Sequence, residues 1–268
     1  MQLSDDTRNE ERIGARDLTR WPSRLGRGLV RLTVELAKHV SANAVLFITA
    51  AIGCLLVIAL TAAGAEIYDS VEDGEGLVGF DRPVLDGALG LRSETADRLI
   101  TWFTNLGGPV GMTIIAAAIT LAMVLRWRSR TPLVLMVIAV AGSLAMTTIG
   151  KAVVGRIRPP TTDAVPPFET SPSFPSGHAL NSTVIAGLVA YLLIRRMTSS
   201  VARVLTIVLA AAWALGIGLS RVFLGHHWLT DVMFGWALGL AWLALVITAH
   251  RLYLTVRRAR AEDPTASS

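Results

Sequence analysis

Residues 132–150 read Pro-Leu-Val-Leu-Met-Val-Ile-Ala-Val-Ala-Gly-Ser-Leu-Ala-Met-Thr-Thr-Ile-Gly, a run with no charged side chain that closes at Lys151. As a helix rising ~1.5 Å per residue it would cover ~28 Å, close to the ~30 Å hydrocarbon core of a bilayer. The run lacks the alternation of a membrane β-strand, and lipid tolerates only helices or closed barrels, so it reads as a spanning helix. Working outward, comparable apolar stretches fall at 43–64, 106–125, 179–194, 203–219 and 232–250, separated by charged or Pro/Gly-rich breaks. The expected fold is therefore all-α, a polytopic membrane bundle of about six transmembrane helices. Residues 1–42 read as a basic cytoplasmic arm, 43–252 as the membrane domain and 253–268 as a cytoplasmic tail.

Composition points the same way. The chain is 52% hydrophobic and 17% charged, with a mean hydropathy of +0.53. A soluble domain carries about 25% charged residues, so this chain lacks the charge to cover a water-facing surface. Disorder and a disulfide scaffold are excluded by the same numbers, and the single cysteine, Cys54, cannot form an internal disulfide. A net charge of +5 would suggest nucleic acid in a soluble protein. Here its distribution suggests a membrane instead, and no nucleic-acid partner is expected.

The arm is too long and too charged for a signal peptide. Leu25, Leu29, Leu32, Leu36 and Val40 recur in it at helical spacing, between Arg24, Arg27, Arg31 and Lys38. That pattern fits a basic amphipathic helix lying on the membrane, with a disordered tail as the alternative.

Lys and Arg sort to one side of the bundle. They crowd the arm, the second-to-third connection (Arg126, Arg128, Arg130), the fourth-to-fifth (Arg195, Arg196, Arg203) and the tail (Arg251, Arg257, Arg258, Arg260). The first-to-second loop is acidic, with Glu66, Asp69, Glu72, Asp73, Glu75, Asp81 and Asp86. Both termini are then expected in the cytoplasm, and the loops after spans one, three and five outside. The short chain, compact loops and Arg- and Ala-rich composition suggest a bacterial inner membrane.

The outward loops hold the exceptions to this charge rule. Lys151, Arg156 and Arg158-Pro159 follow the third span, Pro175-Ser176-Gly177-His178 precedes the fourth, and Ser220-Arg221, His226, His227 and Asp231 follow the fifth. Cations kept beside an apolar bundle are costly and point to function, here an anionic substrate, most simply a phosphate. Arg158 and Arg221 offer planar forks to phosphoryl oxygens, and Lys151 a mobile point charge. Ser176 is placed to cap the next helix, and the backbone N–H groups near Gly177 make an anion site that glycine lets the phosphate approach. His227 and Asp231 lie four residues apart, a spacing that shares one helix face. The carboxylate can hold the Nδ1 proton and leave Nε2 free to attack phosphorus, while His178 protonates the leaving oxygen.

Together the three segments resemble the type 2 phosphatidic acid phosphatase (PAP2) superfamily, whose pattern is K-x6-R-P, then P-S-G-H, then S-R-x5-H-x3-D. All three are complete here, from Lys151 to Pro159, Pro175 to His178 and Ser220 to Asp231, and the likeness spans about residues 80–245. The resemblance implies that His227 is a nucleophile forming a phosphohistidine, Asp231 its partner and His178 the acid for the leaving group. It assigns the phosphate to Lys151, Arg158, Ser176, Gly177 and Arg221, and implies a reaction without metal. No other cofactor is expected.

The remaining polar features read more plainly. Lys151 alone could be an interfacial anchor. His226 falls at a variable position of the pattern and reads as a neighbour or lipid-interface residue, with a contribution to the site as the alternative, and Arg156 reads as surface charge or a headgroup contact rather than a catalytic group. Trp102, Trp127, Trp213, Trp228, Trp236 and Trp242 fit an aromatic belt or packing, and Asn105-Leu-Gly107-Gly108 a helix entry. The expected activity is hydrolysis of a lipid phosphate or diphosphate at the outer face. A polyprenyl diphosphate of the undecaprenyl type is the favoured substrate, with phosphatidylglycerophosphate or phosphatidate as alternatives. An anionic-lipid transporter or flippase is the reading from another class. The superfamily's haloperoxidases and soluble acid phosphatases fit poorly with six spans.

Overall fold

The computed structural model describes residues 12–13, 16–36, 44, 49, 52–53 and 77–262. The first expected span, 43–64, lies almost wholly outside these residues. Two short strands, β1 (Arg12–Ile13) and β2 (Arg16–Asp17), pair antiparallel ahead of α1 (Arg24–Leu36). After a turn at Leu77–Phe80 come α2 (Asp81–Gly90), α3 (Glu94–Leu106), α4 (Pro109–Trp127), α5 (Thr131–Val154), α6 (Gly177–Ile194), α7 (Ser200–Phe223) and α8 (Leu229–Glu262). The last five are long and apolar enough to cross a membrane, and they correspond to five of the six expected spans.

Of the arm's amphipathic pattern, Leu25, Leu29, Leu32 and Leu36 fall in α1, while Val40 lies outside the described residues. Val30 and Val34 of α1 pack with Trp21 on Leu252 and Val256 of α8. Two further helices, α2 and α3, occupy a stretch the sequence reading left as loop. Ser93 starts α3 by accepting a hydrogen bond from the Ala96 N–H at 3.2 Å, with Glu94 and Asp97 in the first turn where the helix dipole favours acids. The chain turns sharply at Gly107-Gly108 into α4, whose Pro109 supplies the preset φ of a first turn. The last helix also runs further than the expected span 232–250, continuing to Glu262.

The core sits where α5, α6 and α8 meet. Leu135, Ala139 and Met146 interlock with Leu180, Val184 and Leu188 and with Trp242 and Val246. The outer faces invert the soluble pattern, since α4 exposes Val110, Ile114, Leu121 and Leu125, and α7 exposes Val201, Leu205 and Leu209. Such exposed stripes have no cost in hydrocarbon, where helices gain nothing by hiding leucine from lipid. Close approach within the core uses a small residue. A Cβ on Gly142 would fall 2.1 Å from Trp242 Cζ2, and that indole donates to the Ala139 carbonyl at 2.9 Å.

Gly142→Ala should therefore lower thermal stability in detergent, by roughly 1–3 kcal/mol for an overpacked core. Alanine is the better helix former by about 1 kcal/mol, so an unchanged or raised Tm would mean that the Trp242 seat is looser than described.

Candidate active site

Four segments converge at the end of the bundle where α5 and α7 finish and α6 and α8 begin. Asp231 lies at their centre in the first turn of α8, fully buried. Its carboxylate accepts from Arg156 Nη1 at 2.5 Å, from Ser173 Oγ at 2.5 Å and from the Trp228 N–H at 2.9 Å. The last of these is a helix cap, a side chain three residues into the helix reaching back to a free backbone donor. Its backbone carbonyl also accepts from the Ser176 N–H at 3.1 Å, which ties the start of α6 to the start of α8.

His227 precedes α8, so it does not share a helix face with Asp231 as the four-residue spacing suggested. The two still meet, with Nδ1 3.5 Å from Asp231 Oδ2 and 3.3 Å from Ser173 Oγ. The cause is the turn at Gly225, whose φ of 70° belongs to the left-handed region and sends the chain back across the helix end. A Cβ there would also strike the Asp163 carbonyl at 2.1 Å. On the other side of the ring, Arg158 Nη1 stands 3.3 Å from Nε2. A guanidinium only donates, so this contact suits a ring that carries its proton on Nδ1 and a lone pair on Nε2. Burial drives the His227 pKa down to about 4, against the pull of Asp231 in the opposite direction. The imidazole is therefore neutral at physiological pH.

The expected phosphate ligands form two groups. Arg158 and Arg221 converge on one carboxylate, that of Glu169, which takes Arg158 Nη2 on Oε2 at 2.7 Å and Arg221 Nη2 on Oε1. Lys151 instead meets the backbone of the intervening loop, with Nζ 3.1 Å from Ser171 Oγ and bonded to the Pro172 carbonyl. Arg158 shares both of these partners, so Lys151 and Arg158 border one another. Ser176 does occupy the N-cap of α6, but its hydroxyl makes no cap bond, and among the described residues the buried Oγ has no partner. Gly177 and His178 open the same helix. His178, Arg221, Glu169, His226, Thr104 and Phe168 surround a cavity of about 280 Å³.

One reading from sequence needs correction. Arg156 is not surface charge: its side chain is 10% exposed, and it bridges Asp231 to Asp81, whose Oδ2 lies 2.7 Å from Nη2. Asp81 completes the brace by accepting from Thr230 N and Oγ1 at 2.9 and 2.7 Å. His226 faces the cavity, but its Nε2 lies 2.7 Å from the Val165 carbonyl and fastens the loop. Burial and the nearby Arg221 lower its pKa to about 4.

Glu169 was missed altogether. It is the one acidic residue between Asp163 and Asp231, which is the signal that could have found it. Partial burial raises its pKa, yet Arg221 and Arg158 outweigh that and hold it at about 2. The carboxylate is thus an ionised anion seated between the two forks expected from sequence to hold phosphate.

A family model described as the PAP2 superfamily matches residues 132–253. Phosphatidylglycerophosphatase B of Bacillus subtilis is 29% identical over 167 residues, 62% of this chain and 81% of the relative. An undecaprenyl-diphosphatase of Sulfolobus acidocaldarius is 26% identical over 184 residues, covering 67% and 82%. The crystal structure of a transmembrane PAP2-type phosphatidylglycerolphosphate phosphatase from Bacillus subtilis superposes with a TM-score of 0.61 at 25% identity, covering 73% of this chain and 92% of that one.

Two outcomes follow from the charges. A protonated His227 has no lone pair with which to attack, so kcat/KM, corrected for ionisation of the substrate, should show no loss on its acid side until about pH 4. An acid limb near 6.5 would mean that the ring is not desolvated. Glu169→Gln removes the resident anion while keeping its shape. It should tighten inhibition by inorganic phosphate about tenfold at neutral pH, and weaker inhibition would show that Glu169 supports the anion rather than competing with it.

Proposed function

We propose that this chain, a PAP2-superfamily protein across residues 132–253, is an integral-membrane phosphatase that hydrolyses a lipid phosphate or diphosphate through a phosphohistidine. The observation that carries this reading is a neutral, buried His227 with Nδ1 toward Asp231 and Nε2 beside Arg158, which shares an anion with Arg221. In the proposed reaction the phosphoryl group replaces the Glu169 carboxylate between the two arginines. The Nε2 lone pair forms the N–P bond as the bond from phosphorus to the leaving oxygen breaks, and His178 gives that oxygen its proton. Asp231 takes up the positive charge that grows on the ring, while Arg156 keeps the carboxylate aimed. Water then attacks phosphorus with His178 as base, releasing inorganic phosphate and restoring neutral His227.

A lipid substrate is supported by a groove of about 530 Å³ between α4, α6 and α7, lined by Met112, Ile119, Ile185, Val189, Leu209 and Trp213. It begins within a turn of Asn105 and Gly108 at the cavity mouth, so a tail could lie there with its headgroup at His178. The relatives carry two different substrate names, a glycerophosphate lipid and a polyprenyl diphosphate. We favour the polyprenyl diphosphate of these two, while the apolar groove accepts an isoprenoid or an acyl tail alike. A transporter would need the cations, but not a neutral histidine set between a carboxylate and an arginine. The charge pattern supports an outward-facing site with both termini in the cytoplasm.

Purified protein should release phosphate from a panel of polyprenyl diphosphate, phosphatidylglycerophosphate and phosphatidate with a chelator present, fastest on the first. His227→Ala should abolish turnover and trapping of a phosphoenzyme while the protein stays folded. A folded variant with near wild-type rate would remove His227 from the mechanism. For topology, a cysteine placed at Asp163 should react with an impermeant thiol reagent on intact cells and one at Arg196 should not. The reverse labelling would turn the site inward.

A further inference from the structure

We propose that the opposite end of the bundle carries a second anion site, one that recognises the headgroup of an anionic phospholipid in the leaflet facing away from the active site. The arm, the end of α6 at Ile194 and Arg251 of α8 line a cavity of about 1230 Å³. Arg12, Arg20, Arg27, Arg31 and Arg251 line it, and Asp17 is the lone acid among its lining residues.

The charges of this cavity are largely uncompensated. Asp17 is shared between Arg258 at 3.1 Å, the Thr19 hydroxyl at 2.6 Å and, among the wall arginines, Arg20 at 3.9 Å, so a single carboxylate faces five lining arginines. Arg251 forms a fixed floor, stacked 4.2 Å from the Trp21 ring and donating to the carbonyls of Leu18 and Arg20 at 2.9 and 3.0 Å. Trp21 is itself pinned through Nε1 to Thr255 Oγ1 at 3.2 Å. Arg12 and Arg31 make no ion pair among the described residues. A cavity with two guanidinium forks that make no ion pair among the described residues, set over a rigid base, is shaped to take an anion with several acceptor oxygens.

Its position chooses a lipid over a soluble anion. The twenty residues of α8 from Asp231 to Arg251 correspond to ~30 Å of rise, the thickness of the hydrocarbon core. The active site and this cavity therefore open at the two surfaces of the bilayer. Beside the cavity, α1 turns Leu29 and Leu32 outward, 40% and 61% exposed, next to Arg27 and Arg31. Leucines directed into the acyl region with arginines at headgroup level are how an interfacial helix sits, and a soluble anion would gain nothing from them.

The test uses full-length protein in detergent, exchanged into mixed micelles with phosphatidylserine or phosphatidylcholine, and counts retained lipid by native mass spectrometry. Phosphatidylserine, a phosphodiester with net negative charge, should be retained in preference to phosphatidylcholine. Arg12→Gln with Arg31→Gln should weaken its retention roughly thirtyfold, at about tenfold per 1.4 kcal/mol and about 1 kcal/mol per arginine. Hydrolysis of a soluble phosphate ester by that variant should equal wild type, which separates loss of the site from loss of the fold. Because the readout is bound lipid, it stands whether or not the phosphatase reading holds. Equal retention by variant and wild type, or of the two lipids, would overturn the proposal. Displacement of phosphatidylserine by an equal concentration of glycerophosphoserine would overturn the lipid as the source of the anion.

Discussion

The buried carboxylate of Asp231 is the constraint on which the rest of the site depends. A lone charge in the end of an apolar bundle would be costly by several kcal/mol, so it must be met by donors from every side. Arg156 arrives from beyond α5, Ser173 from the loop before α6 and the Trp228 N–H from the start of α8. Each donor fixes a different segment against the same atom pair. The positions of Arg158, His178 and His227 follow, since each lies within a few residues of one of those donors. Asp81 extends the brace to α2, which is why the helix sits on the site rather than drifting as a loop.

The membrane sets the second condition. Outside the core, α4 and α7 present leucine, isoleucine and valine to lipid, and the ionic groups are collected at the two ends. The two ends are not alike. At one, arginines face carboxylates in near-balanced pairs and are mostly buried. At the other, arginines outnumber acids and lie along the arm, at the level where headgroups carry negative charge. Helix α8 spans both, which makes it the element that registers the chemical end against the basic end.

The bundle and the main site residues were legible because their signals are local. Apolar run lengths marked five of the described helices, and the motifs holding Lys151, Arg158, Pro175 to His178, Arg221, His227 and Asp231 marked residues that converge at one end of the bundle. What was not legible depends on distance in space. The partners of Arg156 are 75 residues away in either direction, and no periodicity connects them. Helices α2 and α3 are amphipathic rather than apolar, so a search for continuous hydrophobic runs passes over them. The register of His227 and Asp231 was read from ideal helix spacing, and the left-handed turn at Gly225 replaced it with a contact across a helix end.

Glu169 explains how such a site can exist without substrate. Arg221 is 3% exposed and Arg158 stands beside it, and two cations this close would repel one another in a medium with little water. A carboxylate between them removes most of that repulsion and lets the arginines hold their geometry in advance. The carboxylate belongs to the loop rather than to a helix, and its side chain is one-third exposed, so it has a route to water when a stronger anion arrives. A phosphate dianion brings twice the charge and more acceptor oxygens, so exchange with Glu169 improves the pairing of both arginines. In the proposed reaction the acid that fills the site would thus also set its selectivity, because an anion that binds no better than a carboxylate would not displace it.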